Sequence, residues 1–504
     1  VRHASTLLQP SSPPAQTLDP APAPRTHGRT RTIAALAGTA ALGAAAAAAA
    51  YTAFRCDNDE TDPGDGRPCV IALDVGTLGD NRMMEMALSQ VRRCHDIVYI
   101  TDRKHKVPEG DIRIAFSTPP EILEDTNTPM ADTSKSTTAI ALQHGRTLAK
   151  VMHFRRCLIQ TIQRAVKRYD VKAILVLYPA LFVAFGLTSD VFDRVPVVCL
   201  WYAPGYPNTS IPWLYDASWK DENEGIYKGD PRGTGLEVIK RFEMARASPK
   251  KDHVAGAIKI FKRFQHVACW AQSATRPIHM IEDIPVERVG GLYNKTQMVS
   301  QDWYGPGQPS DELLAFIRRK GNTALVAFGS YADSPALKPI IPMVVKELTR
   351  RKWNVIIHNT KKLTDLPTGE NILIHSGWLP YEYIAPHCQL AVFTGSAVLQ
   401  TVCLYNKVPM LFVPLLSEQF YFAKNYQDLT HTPYINHQID LEVNRERVQV
   451  ALDTFDWPSV LGYLQSVHAD LVKNHGPTKI CRFVQKLIRE NAKDPAPIAD
   501  SCCD

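Results

Sequence analysis

SGWLPYEYIAPHCQLAVFTGSAVLQTVCLYNKVPMLFVPLLSEQFYFAKN, residues 376–425, decides how this chain folds. Residues 390–393 (LAVF) form a short unbroken apolar run, as expected of a strand buried on both faces. A tight Thr394-Gly395-Ser396 turn follows, and the pattern from Ala397 onward predicts a helix. A second apolar run, residues 410–413, is closed by Pro414 and the polar Ser417-Glu418-Gln419. Strand, small-residue turn and helix together bring backbone N–H groups and the positive end of a helix dipole to one point. That arrangement suits phosphate.

The alternation of strand and helix extends outward from this stretch. Upstream, strands are predicted over residues 324–328, 354–358 and 372–375, with a helix over 337–350. The Gly/Pro-rich bridge WYGPGQP, residues 303–309, reads as an interdomain linker. Before it, strands are predicted at 70–73, 97–101, 173–177, 197–200 and 266–270, with a helix at 82–93. Strands alternating with helices imply parallel sheets covered on both faces. Two such sheets in tandem place a ligand cleft between domains, at the carboxyl ends of the strands. The expected fold class is α/β, with two tandem Rossmann-like domains facing an interdomain cleft. The expected divisions are 69–301 for the first domain, 302–310 for the linker and 311–475 for the second domain. A C-terminal helix over 476–493 crosses back to the first domain, and 494–504 is a tail.

The N-terminal region has a different character. Residues 1–32 are rich in Pro, Ser, Thr and Ala without apolar periodicity, a composition that predicts disorder. Residues 33–54, IAALAGTAALGAAAAAAAYTAF, carry no charge over 22 positions, long enough to cross a bilayer. Arg25, Arg29 and Arg31 precede this segment, and the acidic linker 55–68 follows. By the positive-inside rule the N-terminus stays cytoplasmic and the body is translocated to a luminal or extracytoplasmic side. The alternatives are a targeting segment removed to leave a soluble protein, or a low-complexity linker. Asn208 and Asn294 head N-x-Ser/Thr sequons that matter only for a luminal body.

Bulk properties exclude some classes. A net charge of +6 over 504 residues, with no basic stripe interleaved with aromatics, argues against a nucleic-acid partner. The eleven cysteines show no CxxC pair or Cys/His spacing of metal-ligand type. Cys56 and Cys69 flank the acidic linker, either as a disulfide or as two thiols. Asp57-Asn58-Asp59 in that linker reads as solvated charge rather than a metal-binding Asp-x-Asp.

The element order around Gly395 resembles the donor-binding half of two-domain UDP-sugar glycosyltransferases (the GT-B type, including sterol and lipid glucosyltransferases). Gly377-Trp378-Leu379-Pro380 before it and Pro414 to Gln419 after it match landmarks of that family. The resemblance implies a UDP-sugar donor, no metal cofactor, and transfer of a hexose to a hydroxyl of a lipid, sterol or small apolar acceptor. Ser330, in Phe328-Gly329-Ser330, resembles the family serine that reaches the diphosphate. Trp378 corresponds to the tryptophan on which uracil stacks, and Thr394, Gly395 and Ser396 to the turn against the phosphates. Glu418-Gln419 stands for the family Asp-Gln at the donor sugar, while a family Glu on the ribose becomes Val402, with Gln400 as a substitute. The family His before the phosphate-binding helix is absent here. In the first domain, Asp74-Val75-Gly76-Thr77-Leu78-Gly79-Asp80 resembles a Gly-Thr-x-Gly-Asp turn, with Asp80 as general base toward the acceptor hydroxyl and Gly79 beside it. Asp80 as the cap of a helix beginning near Arg82 is the structural alternative. His95 matches a common family histidine. The aromatic loop from Trp201 and Tyr202 through Tyr206 to Trp213 resembles an acceptor loop. A UDP-sugar 2-epimerase shares the fold, and a catalytically silent relative that binds a nucleotide-sugar, glycan or protein partner is the other reading.

Overall fold

The computed structural model describes residues 68–74, 78–102, 107–108, 110–116, 158–177, 194–202, 263–274, 285–293, 309–334, 337–359, 363–377, 379–415, 417–435 and 441–491. Residues 1–56 form a unit of their own that lies outside these ranges, and 57–504 form the second. The expected bilayer span therefore falls outside the described residues, among which no helix is long and apolar enough to cross a membrane.

The first half of the second unit builds β1 (Cys69–Asp74), α1 (Leu78–Leu88), β2 (Asp96–Asp102) and β3 (Ile112–Phe116). It continues with β4 (Val171–Leu177), β5 (Val197–Trp201), β6 (Gln265–Ala268) and β7 (Val286–Arg288). These strands join in a seven-stranded sheet of order β3-β2-β1-β4-β5-β6-β7. Every pairing in it is parallel. All six residues of β1 are buried, as its CVIALD run requires for a strand covered on both faces. Cys69 opens this strand as a buried thiol, so the pairing with Cys56 is not formed. Burial pushes that thiol up to about 12.

After the linker come α2 (Asp311–Ile317), β8 (Thr323–Ala327), α3 (Ile340–Arg350), β9 (Asn354–His358), β10 (Ile372–His375) and the one-turn α4 (Tyr381–Ile384). Then follow β11 (Leu390–Phe393), α5 (Ala397–Asn406), β12 (Met410–Phe412), α6 (Ser417–Thr430), α7 (Leu441–Asp453), α8 (Trp457–Lys473) and α9 (Gly476–Asn491). The five-stranded sheet runs β10-β9-β8-β11-β12, again parallel throughout. α3 shows why such helices cover the sheet: Ile340, Ile341, Val344, Val345 and Leu348 line one face and are buried. α2 starts where Ser310 accepts from the Leu313 N–H, with Asp311 and Glu312 complementing the dipole.

α9 returns to the first sheet. Ile480, Cys481, Val484, Leu487 and Ile488 share one core cluster with Val70 and Ala72 of β1 and Met83 and Met84 of α1. The expected helix at 82–93 in fact begins four residues earlier, at Leu78, and ends at Leu88 ahead of a separate 3-10 turn, Val91–Arg93. Asp80 is thus the third residue of α1 rather than its cap. β3 and β7, the two edge strands, went unread because neither is a continuous apolar run.

Candidate active site

In the five-stranded sheet the strand order reverses between β8 and β11. Beyond the carboxyl ends of two strands that diverge in this way, a crevice opens for ligand. Both small-residue turns of the second half lie there. Ser330 sits in the 3-10 turn Gly329–Tyr331 that follows β8. Thr394-Gly395-Ser396 follows β11, and the register pairs Ala327 with Phe393, so the two turns leave neighbouring strands at the same level.

Gly395 adopts φ +105°, a conformation costly for any residue with a side chain. A Cβ there would also stand 3.2 Å from the Gln419 Cβ and 3.4 Å from the Phe412 ring. Glycine is required twice, once for its backbone and once for space. Gln419 therefore packs directly against the turn, and its amide oxygen accepts from the Leu415 N–H at 2.9 Å. Ser396 occupies the position where a serine usually folds its hydroxyl back onto the helix, yet it makes no capping bond and stays exposed. The first-turn amides of α5 are left without a side-chain cap, which suits an incoming anion. Gln400 is half-buried one turn along, and Val402 is fully buried.

On the neighbouring strands, His358 ends β9 and its ring nitrogens meet the Tyr381 hydroxyl at 2.7 Å and the Gly377 carbonyl at 3.0 Å. This clamp holds the residue immediately before Trp378. Neither His358 nor Tyr381 was singled out as a site residue from sequence, because their pairing joins two elements 23 positions apart.

The first sheet has its own reversal, between β1 and β4. α1, which carries Asp80, leaves the carboxyl end of β1 at that point. The Asn81 amide donates to Asp74 Oδ2 at 2.6 Å, both side chains buried, and so pins the strand end to the helix. His95 lies elsewhere: it precedes β2, at the amino end of that strand, and burial lowers its pKa. Trp201 is 1% exposed, with its indole N–H donated to His266 Nδ1 at 3.0 Å, so it forms part of the core beneath the cleft. Tyr202 is half-buried against the cluster that holds Val198 and Leu200 of β5. Tyr206, Trp213 and Trp378 lie outside the described residues, and of Gly79, Asp80, Ser330 and Glu418 only the backbone is described. His387 ends a 3-10 turn, exposed beside the Tyr383 ring.

The two sheets are bridged beside the crevice. Tyr293, beyond β7, stacks on Tyr405 of α5 with ring centroids 3.8 Å apart. The Ala274 carbonyl accepts from Asn425 Nδ2 at 2.7 Å and from the Tyr463 hydroxyl at 3.2 Å. Asp470 accepts from both the backbone N–H and the hydroxyl of Ser273. Among the described residues no group of three or more His, Cys, Asp or Glu side chains is placed to hold a metal ion.

Neither a protein-family model nor a curated protein matches this sequence. Solved structures do. A kitacinnamycin glycotransferase superposes with a TM-score of 0.55 at 15% identity, over 84% of this chain and 100% of that one. UGT71G1 of Medicago truncatula, complexed with UDP-glucose, gives a TM-score of 0.56 at 12% identity, over 84% and 98% of the two chains. A UDP-glucose: anthocyanidin 3-O-glucosyltransferase in complex with UDP gives 0.54 at 14%, over 84% and 100%.

The fold is that of the GT-B glycosyltransferases.

At these identities the likeness is one of architecture. In a GT-B frame the seven-stranded sheet is the first lobe and the five-stranded sheet the second.

Proposed function

We propose that the chain transfers a hexose, with inversion, from a UDP-sugar to a hydroxyl of a lipid, sterol or small apolar acceptor. The observation that carries this reading is the uncapped N-terminus of α5 at the β8/β11 reversal, with Gly395 kept free of a side chain. One solved structure of this fold complexed with UDP and one with UDP-glucose support the choice of donor.

In the proposed reaction the acceptor oxygen attacks the anomeric carbon as the bond from that carbon to the UDP oxygen breaks. The acceptor proton passes to the Asp80 carboxylate, and UDP leaves with the bonding pair. The α5 amides and dipole, the turn at 394–396 and Ser330 would receive the growing phosphate charge in place of a metal. Trp378 would carry the uracil ring, Gln400 the ribose, and Glu418 with Gln419 the donor sugar. Gly79, Tyr202, Tyr206 and Trp213 would face the acceptor. Trp201 would support that wall from the core. Residues 33–54 would anchor the body to a membrane, with the N-terminus cytoplasmic, and resistance to alkaline extraction tests that arm.

A second reading, a catalytically silent nucleotide-sugar binder, draws on two observations. Val402 is buried where the family places its ribose-binding Glu, and the Gln419 amide oxygen is engaged by Leu415. Calorimetry with UDP, thymidine diphosphate and their sugars, followed by mass spectrometry of acceptor mixtures, separates the two readings. Transfer that disappears in Asp80→Ala supports the enzyme. Binding without transfer or hydrolysis supports the silent relative, and no nucleotide binding at all removes both.

A further inference from the structure

Among the described residues, an ion pair joins an element of the first sheet's half to one of the second. Arg82 of α1 pairs through Nη2 with Glu382 Oε1 of α4. The side chains are 15% and 3% exposed, so the pair is nearly removed from water. Arg82 lies two residues beyond Asp80 on the same helix, and Glu382 four residues beyond Trp378. The contact thus joins the helix bearing the proposed base to the segment bearing the proposed uracil platform. Val398, in the first turn of α5, belongs to the same apolar cluster as Met83 and Met84 of α1. The first turn of α5 and α1 therefore share one apolar cluster alongside the ion pair.

We infer that Arg82 and Glu382 are positioning residues that set the register of the two lobes, and with it the placement of the Asp80 helix over the diphosphate turn. The inference rests on the proposed sugar transfer for its catalytic consequence, though not for its structural one.

A buried pair gives little net stability, because the cost of desolvating two charges offsets their attraction. Here the attraction does not fully compensate that cost. Glu382 Oε2 is buried without a hydrogen-bond partner, and burial lifts the Glu382 pKa despite Arg82 beside it. Such a contact specifies a geometry more than it secures one, and it can separate when the lobes part to admit substrate. Removing one partner alone leaves an uncompensated buried charge, which favours the separated arrangement.

The test uses the full chain with Arg82→Met, Glu382→Gln and the exchanged pair Arg82→Glu with Glu382→Arg. Amide hydrogen exchange is followed over 78–88 and 381–387, with 340–350 as internal control, and UDP affinity and turnover are measured in parallel. Each single variant is expected to speed exchange in both partner segments and leave the control segment unchanged. Turnover should fall by about a hundredfold, the cost of a misplacement of roughly 1 Å, with UDP affinity retained. The exchanged pair should recover protection and part of the turnover. Faster exchange in one segment only, or a loss in UDP affinity that parallels turnover, would overturn the inference, as would an exchanged pair no better than the single variants. If the wild-type chain transfers no sugar, the proposed function fails, while the exchange measurements still decide the register.

Discussion

The Tyr381 hydroxyl donates to His358 Nδ1 across 2.7 Å, because the His358 Nε2–H is already committed to the Gly377 carbonyl at 3.0 Å. A carbonyl can only accept, so the ring is neutral with its proton on Nε2. This fixes the tautomer and joins the ends of β9 and β10 to α4 through one side chain.

The clamp makes stability depend on pH with a defined sign. Burial lowers the His358 pKa from 6.5 to about 4. The unfolded chain therefore takes up the proton first as pH falls. The contribution of His358 is complete above 6.5 and lost as pH drops through 4. It amounts to roughly 3 kcal/mol, at 1.36 kcal/mol per unit. Urea midpoints of wild type and His358→Gln measured from pH 8 to pH 4 should converge toward acid. A difference that stays constant with pH would sink the assignment.

Glu85 should behave in the opposite sense. Its carboxyl is buried on α1, and desolvation raises its pKa to about 8 even though Arg92 Nη2 lies 2.9 Å away. Arg92 is also engaged by both oxygens of Asp111, and Glu85 Oε1 has no partner, so burial outweighs the ion pair. The protonated form is favoured on folding, and its stabilisation is lost as pH rises through 8. Glu85→Gln should therefore gain stability relative to wild type as pH rises from 4.5 to about 8, and hold that advantage above it. A wild type that is equally stable at pH 6 and pH 9 relative to this variant would argue against it.

Gly395→Ala combines backbone strain at φ +105° with a Cβ 3.3 Å from the Gln419 Cα. The expected loss is about 1–3 kcal/mol in stability, read as a lower urea midpoint. Calorimetry should show UDP affinity falling more than stability alone explains, because Gln419 and the 394–396 turn must move apart. Unaltered UDP binding in a folded variant would detach the turn from the proposed phosphate site.

Lys407 closes α5 in the left-handed conformation, φ 57°, with its N–H reaching the carbonyls of Cys403 and Leu404. Glycine is the usual residue at such a helix end. Lys407→Gly should raise stability by about 0.5–1 kcal/mol, visible as a higher melting temperature with UDP binding unaffected.

The second lobe was the most legible part of the chain. The predicted bounds of β9, β10 and β11, and the start of α5, coincide with those observed, because short apolar runs bounded by turns define strands buried on both faces. The edge strands β3 and β7 were not legible, since an edge is defined by what pairs with it and not by its own composition. α1 was misplaced for a related reason. Its first turn, Leu78-Gly79-Asp80, reads locally as a glycine-containing loop, and packing against β1 and α9 makes it helix.

By itself the sequence determined two alternating α/β halves and a small-residue turn beside each site helix, while the exclusion of any side chain at Gly395 came from its backbone conformation and the packing of Gln419 and Phe412. The halves and turns follow from local periodicity. Only the tertiary structure decided that Trp201 belongs to the core and that His95 lies at the far end of the sheet from the cleft. It alone paired Arg82 with Glu382, Tyr293 with Tyr405 and Tyr381 with His358. These relationships join residues on different elements, often hundreds of positions apart, and depend on how helices seat on the two sheets rather than on any spacing along the chain.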